Sequence, residues 1–229
     1  GILAADETVS TITKRFDALK ITSTEDSRRT YREMFFTTPG AAAFISGVIM
    51  YDATIRQKNA AGLSLAEVLS REGIIPGIKV DTGAKVLAGS PEEKMTEGLD
   101  GLRDRLKEYA AMGARFAKWR AVIRITDMLP SPMCVNVNAH ALARYAALCQ
   151  EQGIVPIVEP EVLMDGDNDI DTTYAVTEWV LKETFQQLYY LNVALEGIVL
   201  KPNMIVPGKR AAKQASVDEV AEKTIKCLK

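Results

Sequence analysis

Five short apolar runs carry an ionisable side chain at or near their carboxyl end. They are Gly1–Asp6, Gly77–Asp81, Phe116–Arg120, Ile157–Glu161 and Gly197–Lys201. A short apolar run predicts a buried strand of a parallel sheet, and the carboxyl ends of such strands form the edge at which α/β proteins bind ligands. The pattern indicates an enzyme whose reactive groups are gathered at that edge.

Lys201 follows the apolar residues Gly197–Leu200. A lysine at the end of a buried strand is partly desolvated, and nearby cations such as Lys118 disfavour its charged form. Its pKa therefore falls toward about 7 to 8, where the free amine is a nucleophile suited to Schiff-base chemistry. The alternative is a surface lysine with a buried stem. Spacing alone does not separate the two.

Glu159 and Glu161 flank Pro160, and residues two apart on a strand share a face. Both carboxylates can enter one cavity unless the proline redirects the chain. One would then act as general acid and base, with its pKa raised by the other carboxylate and lowered by adjacent lysines. The alternative is an ion-paired couple at a loop end.

Lys118 and Arg120 also lie two apart, on either side of Trp119. Together with Lys79 they offer fixed positive charge for phosphate groups. An ordinary ion-pair network around the tryptophan is the competing interpretation.

The sequence predicts no metal site. His140 is the single histidine, which rules out a histidine-rich site and favours a structural role for that residue. The run Asp165–Asp169 resembles a calcium loop, but Ile170 and Val176 stand where such a loop needs glycine and glutamate. We interpret it as an acidic turn.

The composition favours a small-molecule partner. The 229 residues are 47% hydrophobic, and 28 basic against 30 acidic residues give a net charge of -2. Such a balance supplies no basic surface for nucleic acid or an anionic membrane. Three cysteines without metal spacing fit a reducing compartment, and no apolar run is long enough to span a bilayer. We expect a soluble, cytoplasmic protein with no nucleic-acid or membrane partner.

Strands and helices alternate along the sequence as six βα units. Strands are predicted near 1–6, 44–51, 74–80, 115–123, 153–159 and 196–201. Helices are predicted over 24–37, 137–152 and 171–191, with Arg28, Arg29 and Arg32 on the solvent side of the first. Three further helices are expected to begin at the capping boxes Ser64–Glu67, Ser90–Glu93 and Ser216–Glu219.

Six parallel strands fit either an open sheet or a barrel. No strand is followed by the glycine fingerprint of a dinucleotide site, which disfavours the first. An eight-stranded barrel takes about 250 residues. Either the sheet is open or the polypeptide is incomplete, and we expect incompleteness at both ends because the first residue already lies in a predicted strand.

An ordered set of motifs resembles class I fructose-bisphosphate aldolases. The motifs are Gly1–Glu7, Gly77–Asp81, Ala114–Arg120, Leu142–Tyr145, Gly153–Glu161 and Leu200–Met204. The resemblance implies a TIM (β/α)8 barrel, of which about six βα units are present. Residues 1–229 would then be one barrel domain that lacks the N-terminal leader and the last two βα units, since a six-unit piece would expose apolar strand edges. It also implies a lyase that cleaves fructose 1,6-bisphosphate to dihydroxyacetone phosphate and glyceraldehyde 3-phosphate, in glycolysis and in reverse in gluconeogenesis, through a lysine imine and without metal or other cofactor.

The resemblance also assigns roles by position. Lys201 matches the imine-forming lysine, Glu159 the general acid and base, and Asp6 a carboxylate that assists carbon–carbon cleavage. Lys118 resembles the lysine that tunes this centre, and Glu161 would hold Lys118 and Lys201 in place. Lys79 and Arg120 resemble ligands of the substrate hydroxyls and of the phosphate far from the imine. A homotetramer is implied as well.

Some positions depart from the family pattern. The family has Ser-Thr-Gly-Ser where this chain has Thr8-Val9-Ser10-Thr11, so Thr8, Ser10 and Thr11 become the candidate phosphate contacts. The family's Ser-Gly-Gly loop and phosphate-binding arginine have no counterpart before Lys229. Two other hypotheses stay open: a Schiff-base aldolase for a different sugar phosphate, and a non-catalytic barrel fragment or scaffold.

Overall fold

A computed structural model describes residues 1–229, in which strands and helices alternate. The strands are β1 Ile2–Ala5, β2 Gly47–Met50, β3 Ile75–Lys79, β4 Gly83–Leu87, β5 Ser90–Glu97, β6 Phe116–Ile123, β7 Val155–Val162 and β8 Val199–Leu200. The helices are α1 Val9–Ala18, α2 Glu25–Phe36, α3 Asp52–Ile55, α4 Leu65–Arg71, α5 Leu102–Ala111, α6 Pro132–Glu151, α7 Ile170–Tyr190 and α8 Val217–Leu228. None of these helices combines the length and apolar composition that crossing a bilayer requires.

Six strands form one sheet in the order β1-β2-β3-β6-β7-β8, and the predicted α/β class is confirmed. All six predicted strands are present. The last is much shorter than the predicted 196–201 segment, because Leu195–Gly197 forms a 3-10 turn before β8. β1 and β8 are the two end strands of the sheet, so each has a neighbour on one side only.

Local capping signals place several helices correctly. Ser64 and Glu67 form a reciprocal capping box at the start of α4, as predicted. Ser216 accepts a hydrogen bond from the Glu219 amide and caps α8. α2 and α7 match their predicted spans within two residues. α6 begins at Pro132, five residues before the predicted 137–152 segment.

The capping box predicted at Ser90–Glu93 is wrong, because these residues open strand β5 of an antiparallel β4–β5 hairpin. Gly89, with φ of +84°, supplies the left-handed turn between the two strands. The Glu93 carboxylate is buried and accepts hydrogen bonds from the Ser131 amide at 2.8 Å and the Ser131 hydroxyl at 2.5 Å. This tertiary contact overrides the local helix signal.

Contacts divide the residues into two compact units. The first unit comprises Gly1–Val80, Arg103–Lys118 and Gln152–Ile154. The second comprises Asp81–Leu102, Trp119–Glu151 and Val155–Lys229. The expectation of a single domain stays a prediction.

In the first unit, the Phe116 ring packs against two glycines, Gly47 and Gly77. Gly77 on β3 is the register partner of Phe116 on β6, and a Cβ atom at Gly77 would overlap the Phe116 ring. A Cβ atom at Gly47 on β2 would lie 2.8 Å from the Cε1 atom of the same ring. Glycine at these positions therefore lets the ring pack against the backbone of β2 and β3.

The second unit has its own core between β6, β7 and α6. The Trp119 indole stacks on the Tyr145 ring with centroids 5.6 Å apart, and both side chains are fully buried. The Tyr145 hydroxyl donates to the Ile157 carbonyl at 3.2 Å, which ties α6 to β7. The β7 backbone that carries Glu159 and Glu161 is thus fixed from the interior.

Candidate active site

In the first unit, Asp6 and Lys118 form an ion pair. Asp6 directly follows β1, Lys118 lies within β6, and Lys118 Nζ donates to Asp6 Oδ2 at 3.0 Å. Their side chains are only 12% and 10% exposed. A charge-assisted hydrogen bond in such surroundings is stronger than at an open surface.

Lys79 adds a second cationic side chain beside Lys118. It is the last residue of β3, and its register partner on β6 is Lys118. Register partners on neighbouring parallel strands direct their side chains to the same face. This unit therefore presents two lysines side by side next to one carboxylate, which suits the recognition of an anionic group.

Thr8, Ser10 and Thr11 form a cluster of hydroxyls at the start of α1. Thr8 Oγ1 lies 3.0 Å from both the Ser10 and Thr11 hydroxyls, and it caps the helix by accepting from the Thr11 amide. Hydroxyls and unpaired amides at a helix N-terminus can bind phosphate oxygens. The cluster is partly solvent-exposed.

Arg32 contradicts its predicted place on the solvent side of α2. Its side chain is buried, donating to the Glu7 carbonyl at 2.6 Å and to Thr54 Oγ1 at 2.5 Å. The overlooked signal is its spacing: Arg32 stands four residues before Phe36, which is also buried, so the two share the inner face of the helix.

In the second unit, Lys201 and Glu159 are in direct contact. Lys201 immediately follows β8, its Nζ atom donates to Glu159 Oε1, and its amide donates to the Val158 carbonyl at 2.9 Å. The Glu159 side chain is only 3% exposed. A buried carboxylate is thus placed to exchange a proton with the lysine nitrogen.

The Lys201 side chain is 54% exposed, so it is only partly shielded from water. The reason lies in the sheet. β8 has two residues and a neighbour only on the β7 side, so nothing in the sheet covers its other side. The nitrogen is oriented chiefly by its ion pair with Glu159.

Arg120 brings Glu159 and Glu161 together. The Arg120 Nε atom donates to Glu161 Oε2 and lies 3.9 Å from Glu159 Oε1. β7 continues through Pro160, so the two glutamates share a face as predicted. Hydrogen bonding to Glu161, opposed by burial, raises the pKa of the Arg120 guanidinium. The partner that the structure gives Glu161 is Arg120.

The β4–β5 hairpin holds the Arg120 backbone, a role that the sequence analysis missed. The Thr96 hydroxyl donates to the Arg120 carbonyl at 2.7 Å, and the Arg120 amide donates to Asp81 Oδ2 at 3.4 Å. Asn138 accepts from the Thr96 amide at 3.1 Å and fixes the hairpin in turn. No local sequence pattern marks these long-range contacts.

The remaining candidates for metal chemistry have other contacts. His140 Nδ1 lies 3.1 Å from Gln187 Oε1 on the neighbouring helix, and Asp169 of the calcium-like run caps α7 by accepting from the Thr172 amide. No group of three or more histidine, cysteine, aspartate or glutamate side chains is arranged to hold a metal ion. The candidate reactive groups of the two units are an amine, carboxylates, cations and hydroxyls.

Comparison with known proteins places this geometry in a family. The family described as "Fructose-bisphosphate aldolase class-I" matches residues 1–229. A protein of Xanthomonas campestris named "Probable fructose-bisphosphate aldolase class 1" is 60% identical over 229 residues, which is 100% of this chain and 69% of that protein. "Fructose-bisphosphate aldolase 4, cytosolic" of Arabidopsis thaliana is 49% identical over 228 residues, 100% of this chain and 58% of its own length.

A solved structure supports the same family assignment. The fructose-bisphosphate aldolase of Plasmodium falciparum, in complex with TRAP and a small-molecule inhibitor, superposes with a TM-score of 0.97 at 46% identity. The match covers 100% of this chain and 66% of that chain, so the present sequence spans about two thirds of this relative. The sheet order and the similarity together establish a fold of the TIM-barrel type. This chain belongs to the class I fructose-bisphosphate aldolase family, whose named members are lyases.

Proposed function

We propose that this protein cleaves fructose 1,6-bisphosphate to dihydroxyacetone phosphate and glyceraldehyde 3-phosphate, and catalyses the reverse condensation, through an imine on Lys201. The observation that carries the proposal is the contact between Lys201 Nζ and the buried carboxylate of Glu159, in a chain of this family. An amine beside a carboxylate is the pair that imine formation requires.

The first stage joins Lys201 to the substrate. The neutral amine attacks the ketose carbonyl carbon, and the resulting carbinolamine loses its hydroxyl group as water, leaving a protonated imine. Glu159 gives the proton that the departing hydroxyl needs and takes up those released from the nitrogen. The protonated imine attracts electrons from the adjacent carbon–carbon bond, which is the task that a metal would otherwise perform.

The second stage breaks the bond between the two three-carbon halves. A base removes the proton of the hydroxyl on the far half, that hydroxyl carbon becomes the aldehyde of glyceraldehyde 3-phosphate, and the bonding electrons pass into the imine to give an enamine. Asp6 is the carboxylate that we assign to this cleavage. Protonation of the enamine carbon and hydrolysis of the imine release dihydroxyacetone phosphate and restore the Lys201 amine.

The other side chains bind and orient. Lys118 supplies a fixed positive charge beside Asp6, and Lys79 and Arg120 contact substrate hydroxyls and a phosphate. Thr8, Ser10 and Thr11 offer hydroxyl donors to phosphate at the N-terminus of α1. Glu161 orients Arg120 through their ion pair. The reaction needs no metal or other cofactor, a homotetramer is the expected assembly, and the cytosol is the expected location.

Borohydride trapping tests the proposal. The protein is incubated with dihydroxyacetone phosphate, reduced with borohydride and digested, and peptide masses locate the label. We expect a single label on Lys201 that is lost in Lys201→Ala and kept in the matched variant Lys182→Ala, whose lysine pairs with Glu178 on α7. Labelling at another lysine, or none, contradicts the mechanism.

Cleavage assays then separate the remaining hypotheses. We expect turnover of fructose 1,6-bisphosphate that survives a chelator. Trapping at Lys201 with cleavage of only a different sugar phosphate would indicate a related Schiff-base aldolase. Neither trapping nor turnover would indicate a scaffold.

A further inference from the structure

We propose that Arg32, buried beneath the turn that follows β1, is a positioning residue for Asp6 in the cleavage step. Its guanidinium donates a hydrogen bond to the backbone carbonyl of Glu7 and thereby restricts the orientation of the Asp6 carboxylate. This inference rests on the proposed function, in which Asp6 assists carbon–carbon cleavage. It concerns a residue that touches no reacting atom.

Arg32 carries a buried charge. Arg32 is 2% exposed although it lies in the middle of a surface helix, and desolvation lowers the pKa of its guanidinium while the Glu7 and Asp6 carboxylates oppose the shift. Burying a charge is costly, and a buried ion pair adds little net stability compared with apolar side chains of the same size. Stability alone therefore explains this arginine poorly.

The contacts of Arg32 converge on one turn. Nη2 donates to the Glu7 carbonyl at 2.6 Å, Nη1 donates to Thr54 Oγ1 at 2.5 Å, and Nη2 lies 3.9 Å from Glu7 Oε2. Thr54 is fully buried on α3, so it holds the guanidinium from behind. Arg15 on α1 binds the other carboxylate oxygen of Glu7 at 2.5 Å. Glu7 is thus held through both its backbone and its side chain.

Asp6 is joined to Glu7 by a peptide bond, so fixing Glu7 limits the directions that the Asp6 side chain can take. Lys118 restrains the carboxylate itself at 3.0 Å. The two restraints act from opposite ends: Lys118 on the oxygen atom and Arg32 on the chain behind it. A displacement of about 1 Å in a reacting group can cost about 100-fold in rate.

Two atoms of this network make no hydrogen bond within the protein, which favours positioning over stability. Arg32 Nε and Glu7 Oε2 are buried without a hydrogen bond. An unmet buried polar group is destabilising, and sites that serve function are where such costs are tolerated. Nη1 and Nη2 of Arg32 are satisfied by Thr54 and by the Glu7 carbonyl, whereas Nε is not.

The experiment compares Arg32→Met and Arg32→Lys with the control Arg29→Met. Arg29 lies on the same helix, and its side chain binds Asp26, Thr30 and Glu33 of that helix. We expect Arg32→Met to lower kcat for fructose 1,6-bisphosphate cleavage about 10- to 100-fold. Lysine restores the charge but not the forked geometry, so Arg32→Lys should recover part of the loss. KM and imine trapping with dihydroxyacetone phosphate should stay within about twofold of the unsubstituted protein, because neither requires cleavage.

A double-mutant cycle of kcat with Asp6→Asn distinguishes positioning of Asp6 from a merely structural role of Arg32. If Arg32 acts through Asp6, the loss from Arg32→Met should nearly vanish when Asp6 is already asparagine. Independent, multiplicative losses in kcat, or an equal fall in imine trapping, would overturn the inference. If Arg32→Met fails to fold, Thr54→Val replaces it, because this change removes the hydrogen bond from Arg32 to Thr54. We then expect a few-fold loss of kcat that nearly vanishes when Asp6 is already asparagine. Absence of trapping in the unsubstituted protein would instead defeat the proposed function.

Discussion

Lys118 reaches Asp6 across 112 positions of sequence and donates a hydrogen bond of 3.0 Å to its carboxylate. The pair links the turn after β1 to the middle of β6, and each side chain is about nine-tenths shielded from water. Because Asp6 and Lys118 are both candidates for chemistry, the same contact contributes to folding and sets the charge around the reactive groups.

The Asp6–Lys118 pair should show a measurable coupling in folding. We expect Asp6→Asn and Lys118→Met each to lower the free energy of unfolding by about 1.5 to 3 kcal/mol, as for hydrogen bonds to charged groups. The double variant should lose less than the sum, by about 1 kcal/mol. Urea denaturation of the four proteins measures this, and strictly additive losses would show that the pair contributes no interaction energy.

Glu93 should make stability sensitive to acid. Burial raises the pKa of Glu93, but hydrogen bonds from Ser131 and Ser90 outweigh it and hold the pKa below its ordinary value of 4.5. A carboxyl whose pKa is depressed by folding stabilises the protein above the unfolded pKa, and that contribution is lost as the pH falls through the folded pKa. Glu93→Gln should cost about 1.5 to 3 kcal/mol at pH 7 and progressively less below about pH 4.5.

Urea denaturation of the Glu93→Gln protein at several pH values between 3 and 7 tests this expectation. The matched control is Glu92→Gln, because Glu92 is the neighbouring glutamate and its side chain is 66% exposed. The control should change stability by less than about 1 kcal/mol, as surface ion pairs do. A Glu93→Gln deficit that stays constant with pH would show that the carboxylate charge is not what docks the hairpin.

The stability effects of substitutions at Gly77 and Phe116 should depend on each other. Gly77→Ala places a methyl group into the Phe116 ring, and overpacking of this kind costs about 1 to 3 kcal/mol. Phe116→Leu alone should also destabilise, through the cavity it leaves. Combined, the two substitutions should cost less than their sum, since the smaller side chain makes room for the methyl group. Thermal unfolding of the three variants measures the difference, and a sum or more would contradict the packing argument.

Glu159→Gln should separate binding from turnover. The amide keeps the shape of the side chain but cannot exchange protons with Lys201, so kcat should fall by about 10² to 10⁴ while substrate binding persists. Stopped-flow cleavage assays and equilibrium binding of the substrate supply the two readouts. Glu178→Gln, on the surface of α7 beside Lys182, is the matched control and should leave both unchanged. Normal turnover in Glu159→Gln would remove Glu159 from the mechanism.

Much of the fold could be predicted because its signals are local. The apolar runs fix the six strands of the sheet, and the Ser64 capping box fixes the start of α4. The β4–β5 hairpin could not be predicted, since Glu93 finds its partner at Ser131, 38 positions away. A capping signature and a buried tertiary acceptor look alike in sequence.

In the candidate site, too, some features could be predicted from local signals and others could not. Asp6, Lys79 and Lys201 are candidates because each stands where a strand ends, and the structure confirms that position for all three. The spacing of Glu159 and Glu161 predicted their shared face, and β7 bears it out. The exposure of Lys201 could not be predicted, because it depends on which elements pack alongside, a property of the whole fold. The burial of Arg32 has a local signal in its four-residue spacing from Phe36.

The Phe116 ring resting on Gly47 and Gly77 bears on how this protein could be redesigned. A library that randomises one of these positions at a time will find each intolerant, because every larger residue meets the same ring and every smaller ring leaves a void. Randomising the three codons jointly opens solutions that no single step can reach. Directed evolution of this scaffold should treat them as one mutational unit.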